Sequence, residues 1–134
     1  MKKQPQISRD DKIIICQLAY DWCVQNLKKS KFHSGFPKLY KRSVQSNSLL
    51  KGYYKEAKNL IAVYLDNNTT ALDICETVIH EWKHYQQDIV IMYDKYETVY
   101  KRKGNNHPYE ISAENYAKRH ASNCLSWIQK KFKT

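Results

Sequence analysis

The polar and apolar positions of this chain fall into segments of different period. Ser8, followed three residues later by Asp11, has the form of a capping box. Behind it Ile14, Leu18 and Trp22, with Asn26 and Leu27 one turn beyond, recur at helical spacing and predict a first helix from Ser8 to about Leu27. Ser34-Gly35-Phe36-Pro37 then reads as a turn. After it the pattern changes: residues 39–44 are short and mixed, Tyr53-Tyr54 is aromatic, and residues 60–65 are apolar and rich in β-branched side chains. Two or three short strands are expected, the last being Leu60-Ile61-Ala62-Val63-Tyr64-Leu65.

Asp66-Asn67-Asn68 breaks that strand, and Thr70 with Asp73 supplies the start of a long helix from Ala71 through at least Ile91. On this helix Cys75, Val78, Trp82, Tyr85 and Ile89 cluster within one apolar arc. A polar stretch around residues 101–106 follows. Pro108 fits the first turn of another helix, with Asn106 or His107 as its cap. Ala113, Ala117, Ala121, Cys124 or Leu125, and Ile128 carry that helix at helical spacing to the C-terminus. The expectation is an α+β fold, a small antiparallel or mixed sheet with an N-terminal, a central and a C-terminal helix. With 134 residues, 42% of them hydrophobic, and no repeat or linker, residues 1–134 are expected to form a single domain.

Composition narrows the classes of function. No apolar run approaches the roughly 20 residues of a membrane span. Met1-Lys2-Lys3-Gln4-Pro5-Gln6 leads into no apolar stretch of the kind a secretion signal needs, so a cytoplasmic protein is expected. Cys16, Cys23, Cys75 and Cys124 form neither a CxxC pair nor a zinc-ribbon spacing, and are read as buried free thiols. The formal net charge is +10, from 23 Lys and Arg against 13 Asp and Glu. These basic residues are spread along the chain and read as solvated surface, with nucleic acid as the partner such a charge would draw.

The candidate chemistry lies in His80-Glu81-Trp82-Lys83-His84. Residues i and i+4 stand about one turn apart on one helix face, so both imidazoles can aim at one cation, away from the apolar arc. Glu81 is rotated by about 100° from His80. It can reach a water on that cation but is badly placed as a third ligand, which makes it the candidate general base. A catalytic zinc takes three protein ligands and keeps one position for water, so a partner must come from elsewhere. Glu110 and Glu114 share one helix face, and small Ala113 and Ala117 would let that helix approach the histidines. Glu110 is the candidate ligand, and Glu114 the candidate acceptor for the distal nitrogen of a metal-bound histidine. Glu114, His107 and His120 stand as rivals for the third position, and His33 is given no role.

These residues resemble the zincin metallopeptidases, and specifically the gluzincins, in which HExxH is followed on a later helix by a glutamate ligand in an ExxxD-type motif. Here that motif reads Glu110-Ile111-Ser112-Ala113-Glu114, with Glu in place of the usual Asp. The likeness is to minimal single-domain forms such as the minigluzincins or the shorter SprT-like proteins. SprT-like proteins usually use a third histidine and carry a zinc ribbon that this chain lacks. The resemblance implies one Zn²⁺ held by His80, His84 and Glu110, Glu81 as the base, and residues 60–65 as the edge strand along which a peptide lies. It implies a zinc-dependent peptidase that hydrolyses a peptide or protein substrate through a zinc-bound water activated by Glu81. Tyr109, Tyr100 and His107 are the candidate donors to the oxyanion. The alternatives are a zincin-fold protein that binds zinc without turnover and a SprT-like protease working on nucleic-acid-bound proteins.

Overall fold

A computed structural model of the chain describes residues 7–43, 49–88 and 108–132. Helix α1 (Arg9–Asn26) starts at Ser8, whose hydroxyl accepts a hydrogen bond from the Asp11 N–H at 3.2 Å. Asp10 and Asp11 in the first turn add negative charge where the helix dipole favours it. Its buried face is Ile15, Cys16, Ala19, Trp22 and Cys23, whereas Ile14 is 47% exposed. The stripe expected through Ile14 is therefore out of phase by one residue. Three successive isoleucines, Ile13 to Ile15, admit either phase from spacing alone, and packing against the other helices selects Ile15.

Strands β1 (Lys38–Arg42), β2 (Gly52–Lys55) and β3 (Leu60–Tyr64) form one mixed sheet in the order β1-β3-β2. β1 runs parallel to β3, with Lys38 opposite Leu60, and β2 runs antiparallel to it, with Gly52 opposite Val63. Residues 60–64 are thus the centre of the sheet and not the edge strand expected over 60–65 from the resemblance, and Leu65 opens a short 3-10 turn. The reason lies in their composition: every residue of β3 is buried, and an unbroken apolar run needs cover on both faces. The edges go to Lys38-Leu39-Tyr40-Lys41-Arg42, which alternates between exposed and half-buried, and to the short polar-flanked β2.

Helix α2 (Ala71–Gln86) begins with a complete capping box, in which the Thr70 hydroxyl accepts from the Asp73 N–H and the Asp73 carboxylate accepts from the Thr70 N–H. It ends at Gln86 and does not run on to Ile91. Gln87 takes extended backbone (φ −85°, ψ 149°) because its side chain is drawn into contacts with His84 and with the last helix. Ile89 and Ile91 lie outside the described residues, as do Asn106 and His107. Helix α3 (Pro108–Phe132) packs against α2, which also touches α1 and both β2 and β3. The core between them holds Trp82, Tyr85, Ile61, Ile74 and Ile79, together with all four free cysteines, each buried. No helix among the described residues is long and apolar enough to cross a membrane. The described residues therefore make an α+β fold of three helices and a three-stranded mixed sheet.

Candidate metal centre

α2 presents its apolar side, including Cys75, Val78, Trp82 and Tyr85, to the core. The other side carries the motif. His80, Glu81 and His84 each bring one ligand atom to within 4.8 Å of the others, close enough to hold a metal ion. Small Ala113 and Ala117, both buried, let α3 lie close against this face. From α3 the Glu110 carboxylate reaches between the two imidazoles. One oxygen is 2.5 Å from His84 Nε2 and the other 3.5 Å from His80 Nε2. The residues predicted from spacing on two separate helices thus meet at one point.

His84 is held from both sides. Its Nδ1 lies 2.8 Å from Gln87 Oε1, and the Gln87 Nε2 donates to the Tyr109 carbonyl at 3.3 Å. Because that carbonyl can only accept, the Gln87 amide must turn its oxygen towards His84. Nδ1 then carries a proton, and Nε2, which faces the Glu110 carboxylate, carries a second one that a cation would displace. Glu114, expected to play this holding role, lines the same cleft but hydrogen-bonds to neither histidine among the described residues. Gln87 has no part in the site expected from spacing, because the apolar pattern places it inside a continuing helix. Its position three residues after His84, where the helix stops, is the signal that marks it.

The electrostatics are those of a compact, partly dry site. Glu81 is only 6% exposed. Burial pushes its carboxyl pKa up to about 7, with the histidines pulling it down and Glu110 pushing it further up. The Glu110 carboxyl lies well below the usual carboxylate range, because hydrogen bonds from His80 and His84 outweigh its partial burial. For His84, burial alone would lower the pKa. Hydrogen bonds to Glu110 and Gln87 and the charges of Glu81 and Glu110 outweigh burial and raise it.

The cleft in front of these groups has a volume of about 630 Å³ and runs between β2, α2 and α3. Gly52, Tyr53 and Tyr54 form its strand side. The rival ligand His120 is not part of it: its ring packs against Trp22 and Tyr116 at 6.3 and 4.5 Å. Tyr109 lines the cleft, but its hydroxyl donates to the Asp88 carbonyl at 2.8 Å, so it is committed elsewhere as an oxyanion donor. His107 and Tyr100 lie outside the described residues. His33 has a structural place: its ring stacks on Tyr85, and its Nε2 lies 2.9 Å from the Tyr54 hydroxyl. Since that hydroxyl donates to Asn59 Oδ1, it must accept from His33.

Comparison of the chain with protein-family models, with curated proteins and with solved structures finds no match.

Proposed function

We propose that this chain is a zinc-dependent peptidase of the zincin type, with His80, His84 and Glu110 as metal ligands and Glu81 as the general base. The observation that carries the reading is the meeting of Glu110 from α3 with the two Nε2 atoms of α2, beside a buried Glu81. Two imidazole nitrogens and one carboxylate form the donor set of catalytic zinc, which keeps a further position open. When bound there, zinc supplies Lewis acidity that polarises a carbonyl and acidifies water.

The protein's own groups divide the remaining work. Gln87 keeps a proton on His84 Nδ1, so that Nε2 is the nitrogen that would bind a cation once its own proton is lost. Glu81, one position along α2 from a proposed ligand, takes a proton from the attacking water and delivers it to the leaving amine. A peptide needs an unpaired strand edge, and β2 meets this need better than β3. Among the described residues β2 is an edge strand of the sheet, and Gly52, Tyr53 and Tyr54 face the cleft that contains Glu81. Its outer backbone groups can take a substrate in extended form as an added strand.

The test is metal analysis beside hydrolysis of an unfolded protein such as casein. Purified wild-type protein should carry about one zinc per chain. His80→Ala and Glu110→Ala should lose it. Glu81→Gln should keep the metal and the fold but hydrolyse nothing. A natively folded protein that takes up no zinc would end this reading.

A further inference from the structure

The wall of the cleft beneath Glu81 is built from groups outside the proposed ligand set. Asn68 follows the short turn after β3 and is completely buried. Its Nδ2 donates to the carbonyls of Lys51 at 3.1 Å and Tyr64 at 2.8 Å, and its Oδ1 accepts from the Thr77 hydroxyl at 2.7 Å. One amide therefore ties together the residue before β2, the last residue of β3 and a position on α2. That position lies one turn before Glu81, on the same helix face.

Gly52 is where the strand meets the helix. A Cβ at this position would lie 2.7 Å from Thr77 Cγ2, 2.7 Å from the Ala62 oxygen and 3.7 Å from Glu81 Cγ. No side chain fits at position 52, so the strand backbone there rests directly on the Thr77–Glu81 face. The Asn68 side chain suits the junction because a neutral amide offers two donors to two carbonyls and an acceptor to a hydroxyl. A carboxylate there would face two carbonyl oxygens, and an apolar side chain would take this partner from the Tyr64 carbonyl and the Thr77 hydroxyl, while the Lys51 carbonyl would keep only the Tyr64 N–H.

We propose that Asn68, acting through Thr77 and across the gap left by Gly52, is a positioning residue that holds edge strand β2 against Glu81. The strand is thereby kept where a strand-bound peptide brings its scissile carbonyl within reach of the Glu81-activated water. This inference rests on the peptidase reading above. Peptide placement and the proton-transfer group would then be set by one buried junction, while metal binding is carried by His80, His84 and Glu110.

Two substitutions in the full chain separate the parts. Thr77→Val keeps the shape and removes the hydroxyl from Asn68, and Thr77→Ser keeps the hydroxyl. Thr77→Val should bind zinc as the wild type does, and KM for casein should hold while kcat falls about 10- to 100-fold. Thr77→Ser should recover most of kcat. In NMR spectra, the nuclear Overhauser contact between the Gly52 α-protons and the Glu81 γ-protons should be present in wild type and Thr77→Ser and lost in Thr77→Val. An unchanged contact in Thr77→Val overturns the hold itself, and a lost contact with unchanged kcat overturns its catalytic meaning. If the wild type hydrolyses nothing while only Thr77→Val loses the contact, the peptidase reading fails and the hold is supported. Should Thr77→Val not fold, Gly52→Ala reads the same spacing, since its methyl must push the strand off Thr77.

Discussion

His84 has both ring nitrogens committed, one to Gln87 and one to Glu110, and each contact comes from a different part of the chain. An imidazole held in this way loses little freedom when it binds a cation, and such holding partners usually set metal affinity within about 10- to 100-fold. Gln87→Ala should therefore weaken zinc binding by about 10- to 100-fold. Glu114→Ala, which removes no hydrogen bond to either histidine, should change it by less than about threefold by the same reasoning. Competition against a chelating dye measures both, and equal effects would show that Gln87 has no special hold on His84. Gly52→Ala should cost about 1 to 3 kcal/mol in urea unfolding, as other additions to a filled contact do.

The start of α2 is as fully built as the face that carries the histidines. The Asp73 carboxylate accepts from the Thr69 hydroxyl and from the N–H groups of Thr69 and Thr70, and it stands 3.5 Å from Lys51. Burial would raise its pKa, but these hydrogen bonds and the Lys51 charge outweigh burial and lower it. The folded value then lies below the unfolded one of about 3.9, so protonation favours the unfolded chain. Asp73 adds stability above that unfolded value, and the contribution is lost as pH falls through the lower folded value. Asp73→Asn should be less stable than wild type near neutral pH, with the difference closing below about pH 4. Thr70→Ala removes the other half of the capping box and should cost about 1 kcal/mol across this range. A gap for Asp73→Asn that widened in acid would contradict this account of the helix start.

The proposed ligands sit on two helices, α2 and α3, which pack extensively against each other. A cation held by both would bind only the folded chain and stabilise it by mass action. At a hundredfold excess over Kd that is about 2.7 kcal/mol. For a chain of this size the melting temperature should rise by about 10 °C with zinc, and a chelator should reverse the change. Glu110→Ala should lose most of the response, because the tie to α3 is removed while the two histidines of α2 remain. A melting temperature indifferent to zinc and to chelator would mean that the two helices share no metal.

Features with short range along the chain are legible in the order of its residues. The Ser8 and Thr70 caps, the central helix with His80 and His84 on one face, and the unbroken apolar run of β3 all depend on contacts within about a turn or on burial of a contiguous segment. Glu110 and Glu114 can be placed together on one helix face for the same reason. Their separate fates are not legible there, because they depend on how α3 lies across α2: Glu110 meets both histidines and Glu114 meets neither. The phase of α1 is open for a like reason, since Ile14 and Ile15 differ only in what packs against them. Strand order, the end of α2 at Gln86, and the junction of Gly52, Asn68 and Thr77 all arise where segments distant in sequence touch. Local pattern says which face a residue occupies, and the neighbour across that face is supplied only by packing.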